Sequence, residues 1–133
     1  MIDEIHDLIP GISARGIKHL SMEDWFFNCH LQRALIMPGT LIIEAMLQTL
    51  VLTIYTRVGH QGKLTYIRDI KTKLLVKVGP EQTLEIRANL LTYKHGISKG
   101  EAIVIIAGQT VAQGEFTLVS PHEMPQIREK MSL

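Results

Sequence analysis

Met37-Pro38-Gly39-Thr40-Leu41-Ile42-Ile43-Glu44-Ala45-Met46-Leu47-Gln48, continued by Thr49-Leu50-Val51-Leu52-Thr53-Ile54-Tyr55-Thr56-Arg57, is the stretch on which the fold turns. Pro38 suits a first helical turn, where the N–H it lacks would have had no partner. Leu41, Ile42, Ala45, Met46, Val51 and Leu52 recur at helical spacing and make the segment apolar nearly all round. Gly59 supplies a stop, so a helix is expected over residues 38–57. A helix with so little polar surface has to be enclosed by something broad.

Between Ala34 and Thr56 the only charged side chain is Glu44, and that length approaches a membrane span. Pro38-Gly39 interrupts the run, however, and Glu44 and Gln48 would sit unpaired in lipid at a cost of roughly several kcal/mol. The expectation is therefore a buried central helix and no membrane span.

The second half supplies the enclosure. Residues 65–76, 81–94, 97–107 and 109–119 are rich in β-branched side chains, alternate in places, and are separated by Gly79-Pro80, His95-Gly96 and Ala107-Gly108. They read as consecutive antiparallel strands, with Ala107-Gly108 a tight hairpin because Gly tolerates positive φ. Upstream, residues 3–8 fit a short helix or an edge strand, Ile9-Pro10-Gly11 turns the chain, and residues 12–20 form a weak strand. Ser21, Glu23 and Asp24 can cap a short helical turn carrying Trp25, Phe26 and Phe27. Beyond Pro121 the tail is polar and is expected to fray. One long helix and a curved antiparallel sheet make an α+β arrangement in which the sheet wraps the helix.

A length of 133 residues suits one domain with a core of its own, and 46% hydrophobic with 20% charged residues excludes a disordered chain. Fourteen Lys and Arg against thirteen Asp and Glu leave a net charge of +1, scattered rather than gathered on one face. That pattern gives no footprint for nucleic acid or anionic lipid, although an acidic carrier can still dock on a local basic patch. Cys29 is the single cysteine, so no intrachain disulfide forms, which fits a reducing cytoplasm. The opening Met1-Ile2-Asp3-Glu4-Ile5-His6-Asp7 is acidic and lacks the basic start and apolar run of a signal peptide.

Trp25-Phe26-Phe27-Asn28-Cys29-His30, then Leu31-Gln32-Arg33-Ala34-Leu35-Ile36, lead into the helix. Here the chain resembles the FabA/FabZ-type 3-hydroxyacyl-acyl-carrier-protein dehydratases. In that family an aromatic pair precedes a catalytic His, Pro-Gly starts the central helix, and an acid one turn further in is followed by Gln four residues on. His30 and Glu44 stand at the family's separation of fourteen residues, with Gly39 and Gln48 in register. The resemblance continues more weakly to about Val119, with Gly79 near the family's Pro-Gly strand turn and Ala107-Gly108 at its last hairpin. It implies a hot-dog fold for a single domain over 1–133, no cofactor, and an acyl carrier protein as partner. It also implies a cytoplasmic homodimer, which in the family often builds into a trimer of dimers. The chain departs from the pattern in having Cys29 where the family has Gly, Leu31-Gln32 where it has Phe-Pro, and Leu35 at a further Pro. It also reads as shortened at the N-terminus relative to the family.

Dehydrating a 3-hydroxyacyl thioester requires a base for the C2 proton and an acid for the C3 hydroxyl. The resemblance casts His30 as the base, a role neutral imidazole suits near pH 7. Glu44, expected to be buried among Ile42, Ile43, Ala45 and Met46, would be disfavoured as a carboxylate and so keep a proton for the C3 oxygen. The Gly39 N–H, unpaired at the helix start, can receive the thioester oxygen, and Gln48 on the same face can hold the Glu44 carboxyl. In the family the His and the acid of one site come from different subunits.

Plainer roles exist for each: a structural His30, a capping or Lys-paired Glu44, a Gln48 satisfied at a dimer seam. A Cys29-His30 nucleophile is disfavoured because neighbours on an extended segment point to opposite faces. Met22, Met37 and Met46 are expected to fill core gaps. The six histidines show neither HExxH nor a Cys/His cluster, so no metal site is expected. Gly96 and Gly100 flank a hairpin rather than form a phosphate loop. On the same fold, an acyl thioesterase or a non-catalytic acyl- or carrier-binding subunit are the alternatives to a dehydratase.

Overall fold

The computed structural model describes residues 1–29, 35–57, 59–60 and 63–124. In chain order the elements are strands β1 (Glu4–Ile9) and β2 (Ser13–His19), helices α1 (Trp25–Cys29) and α2 (Gly39–Tyr55), and strands β3 (Tyr66–Leu74), β4 (Thr83–Lys94), β5 (Ile97–Ile106) and β6 (Gln109–Val119). A 3-10 turn, Pro121–Glu123, follows.

Helix α2 begins one residue later than expected and ends at Tyr55 rather than Arg57. Pro38 stays extended at the N-cap, with φ −57° and ψ 137°, while its carbonyl accepts from the Leu41 and Ile42 N–H groups. At the other end the Arg57 N–H reaches only back to the Ile54 carbonyl, a tighter turn that closes the helix before Gly59 takes up φ 87°. Ile42, Ala45, Met46, Thr49, Leu50, Thr53 and Ile54 form the buried stripe. The two threonine hydroxyls within it donate to the Ala45 and Leu50 carbonyls, so burying them leaves no orphaned polar atom.

All six strands form one antiparallel sheet in the order β1-β2-β4-β5-β6-β3. Residues 3–8 thus resolve as an edge strand rather than a helix. The four C-terminal strands do not simply follow one another: β3 leaves β4 and pairs with β6 at the far edge. The eight residues 75–82 between them are too long for a tight hairpin. They run past the start of α2, where Val78 is fully buried and its carbonyl accepts the Met37 N–H at 2.7 Å. The two hairpins among these four strands turn on His95-Gly96 and Ala107-Gly108, all four residues at positive φ, as two-residue turns matching the strand twist require.

Helix α2 packs chiefly on β4, β2 and β5. It approaches β5 closely at Gly100, which faces Leu50 so tightly that a Cβ there would stand 2.6 Å from a Leu50 methyl. Met37 and Met46 fill the core as expected, whereas Met22 is exposed on the turn before α1. The tail also differs from expectation in its first part: Pro121–Glu123 is folded, and Met124 is buried against the β4–β5 turn at Gly96. Among the described residues no helix is long and apolar enough to cross a membrane.

Candidate active site

The segment ahead of the helix is held by a local cap. The Ser21 N–H donates to Asp24 Oδ2 at 2.8 Å and the Glu23 N–H to Ser21 Oγ at 3.2 Å, which starts α1. Phe26 and Phe27 are buried with ring centroids 4.7 Å apart, while Trp25 is exposed. α1 runs to Cys29, so the stretch expected to be extended is helical up to that residue. His30 itself lies outside the described residues.

Gly39 opens α2 with its N–H in the first turn, where no intrahelical acceptor exists. The side chain of Leu74, at the end of β3, lies against its Cα, so any Cβ here would collide with it. Glu44 corrects the expectation of burial. It is exposed in the single chain, on the face of α2 turned away from the sheet. The apolar pattern of the helix is so nearly continuous that it cannot tell the face the chain's own sheet covers from the face it leaves open. Gln48, half-buried one turn on, donates from Nε2 to Glu44 Oε1 at 2.9 Å. Its own carbonyl oxygen accepts the Ile2 N–H at 3.2 Å, which ties the amide to the start of the chain. Beside this pair an open, largely apolar groove runs along Ile2, Ile5, Val51, Leu52 and Tyr55.

The groove's rim is acidic and held charged. Burial raises the Asp3 carboxyl, but the hydrogen bond from the His19 N–H at 2.7 Å and the Lys18 ammonium outweigh it and leave it below the usual range. Hydrogen bonds from His19 and His6 hold Glu4 low as well.

One cluster escaped sequence reasoning. At the other end of α2, His60, His122 and Glu123 bring two imidazoles and a carboxylate together, with donor atoms all within 4.8 Å of one another. Burial pushes the His60 imidazole below its usual range, against the opposing pull of Glu123. Burial likewise pushes the Tyr93 phenol, 3.3 Å from His60 Nε2, above its usual range. His60 and His122 are too far apart in sequence for any local spacing to announce the group.

A family profile described as the FabA-like domain matches residues 1–115. The 3-hydroxyacyl-[acyl-carrier-protein] dehydratase FabZ of Clostridium botulinum (strain Loch Maree / Type A3) is 34% identical over 120 residues, covering 90% of this chain and 83% of that protein. The FabZ of Acetivibrio thermocellus is 34% identical over 117 residues, covering 87% and 80%. Among solved structures, the dehydratase heterocomplex ApeI:P of Xenorhabdus doucetiae matches with a TM-score of 0.70 at 18% identity, covering 90% of this chain and 96% of that one. A mutant of the phenylacetic acid degradation protein PaaI of Thermus thermophilus also gives 0.70, at 16% identity over 88% and 91%. At such identities the two structures establish the shared hot-dog fold and nothing finer.

Proposed function

This chain belongs to the FabA-like family, and on that premise we propose that it is a hydro-lyase converting (3R)-hydroxyacyl thioesters of acyl carrier protein to trans-2-enoyl thioesters. The observation that carries the reading is the Gln48-Glu44 hydrogen bond, which presents a positioned carboxyl one turn in from the open N-terminus of an apolar helix. His30 would take the C2 proton as the C2–C3 double bond forms. Glu44 would protonate the departing C3 hydroxyl, which leaves as water. The Gly39 N–H would receive the thioester oxygen as charge gathers on it. No cofactor enters this scheme. An acidic carrier would meet Lys73 and Lys77, exposed where the end of β3 passes the start of α2.

The working unit is proposed to be a homodimer in which each site takes Glu44 from one chain and His30 from the other; the chemistry does not require pairs to stack further into a trimer of dimers. β3 is an edge strand whose inward positions Ile70 and Leu74, in register with Phe116 and Ala112, are 42% and 49% exposed. An unpaired apolar edge of that kind invites a second strand. Ile70→Lys should split the dimer in sedimentation and lower turnover with it; a variant that stays dimeric argues against this edge as the seam.

The decisive experiment mixes purified protein with a (3R)-hydroxyacyl carrier thioester and follows enoyl absorbance. His30→Ala and Glu44→Gln should each abolish it. Turnover untouched by both changes refutes the assignment, and free thiol without an enoyl product makes the protein a thioesterase.

A further inference from the structure

The geometry points to a binding site for one divalent transition-metal ion of the Zn²⁺ class, formed by His60, His122 and Glu123 at the C-terminal end of α2. Nothing in the proposed dehydration uses these residues. They lie beyond Tyr55, itself roughly 16 Å along the helix axis from Glu44 at 1.5 Å per residue.

His60 Nε2 stands 2.6 Å from Glu123 Oε1, and His122 Nε2 stands 3.7 Å from the same oxygen. A tetrahedral Zn²⁺ with bonds of about 2.0–2.2 Å needs donors roughly 3.4 Å apart. The three donors straddle that spacing, so side-chain shifts on the order of 1 Å would complete the arrangement. The chemistry of the set, two imidazole nitrogens and one carboxylate oxygen, is that of zinc sites which keep a position for water.

The second, independent observation is a local deficit of hydrogen bonds. His60 is 3% exposed, yet its Nδ1 has no partner; neither does either ring nitrogen of His122, nor Nη1 of Arg57. Together these are four of the five buried side-chain atoms without a hydrogen bond among the described residues. Native proteins leave few such atoms, and a concentration of them asks for an ion or a water at that spot. An ion held between the two Nε2 atoms takes up one of the four, His122 Nε2. The Arg57 guanidinium, stacked 3.7 Å from the Tyr93 ring centroid, opposes a bare positive charge. The site therefore selects ions that bond covalently to imidazole over Mg²⁺ or Ca²⁺, which depend on several oxygen ligands. Binding would clasp the Pro121–Glu123 turn to the loop after α2, which it meets through the His60–Glu123 side-chain bond.

The test titrates the full-length protein with Zn²⁺ against a chromophoric chelator. One equivalent per chain is expected, with no competition from Mg²⁺ or Ca²⁺. His122→Ala and Glu123→Gln should each weaken binding at least tenfold, and Zn²⁺ should raise the thermal midpoint of the wild type but not of either variant. Glu123→Gln keeps shape and size, so it remains informative if His122→Ala folds poorly. Absence of stoichiometric binding overturns the proposal. So does binding unchanged in both variants, which would assign the ion to the exposed His6-Glu4-His19 group instead.

Discussion

Gly100 and Leu50 offer a way to measure how firmly the site-bearing helix is seated. A Cβ at residue 100 would stand 2.6 and 2.7 Å from the two Leu50 methyl carbons and 3.1 Å from the Asn89 carbonyl oxygen. Carbon atoms rest about 3.5–4.0 Å apart. Gly100→Ala must therefore push Leu50 off its rotamer or lift α2 by about 1 Å, and overpacking of that kind costs about 1–3 kcal/mol. Reduced entropy of the unfolded chain returns about 0.4–1 kcal/mol of it, so the net loss should be about 1–2 kcal/mol. Leu50 is fully buried, and Leu50→Ala should cost about 3–4 kcal/mol, in the range for large-to-small core changes. Added together, the two losses come to about 5 kcal/mol. In the double variant, however, the new methyl occupies space that the Leu50 methyls have left. The clash disappears except against Asn89, and the cavity shrinks, so the combined loss should be only about 2–3 kcal/mol. Urea unfolding of the four proteins measures the cycle. Losses that add to within about 0.5 kcal/mol would refute direct contact between helix and sheet at this point.

Gln48→Leu removes the donor to Glu44 and the acceptor for the Ile2 N–H. A hydrogen bond between neutral side chains is worth about 0.5–1.5 kcal/mol, so kcat should fall about two- to tenfold with KM moving less. Full activity in this variant would show that the carboxyl needs no such support. Asp3→Asn removes the charge and leaves one acceptor oxygen where Asp3 accepts from both the His19 N–H and the Lys18 ammonium. Because the Asp3 carboxyl is held below its ordinary 3.8, its contribution is complete above that pH and is lost as pH falls through the lower folded value. The variant should be less stable by no more than about 1 kcal/mol at neutral pH, given the exposure of the pair. Thermal midpoints of the two proteins should then converge as the pH falls through that lowered value; a gap that stays constant would refute the linkage.

What the sequence made legible was local. Pro38, the apolar run and Gly59 mark α2 to within two residues at each end, because capping and periodicity act over a single turn. His95-Gly96 and Ala107-Gly108 mark their hairpins for the same reason. The pairing of β3 with β6 was not legible, since it depends on residues 75–82 being anchored through Val78 to the helix start rather than on any turn residue. Gln48 was singled out by the family resemblance, its place one turn beyond Glu44 suggested a hydrogen bond, and the bond between them exists. His60, His122 and Glu123 were invisible because they meet only after β6 has carried the chain back beside the β4–β5 turn.

The exposure of Glu44 and the exposure of β3 bear on each other. Leu64, Tyr66, Ile67, Ile70, Leu74, Leu75 and Val76 are exposed along β3 and its flanks, a strip interrupted by Arg68, Asp69, Lys71 and Lys73, and soluble monomers seldom leave so many large apolar side chains uncovered on one edge. Leu74 touches Gly39, so that strip ends at the mouth of the helix whose outward face carries Glu44. A second copy seated on the edge would remove the strip from water and, by the same approach, roof the open face of α2. The surroundings that acid chemistry at Glu44 requires would then come from assembly rather than from the fold of one chain. Turnover per chain should accordingly fall with dilution over the same concentrations at which the dimer dissociates, and a rate that is flat across that range would mean each chain completes its own site.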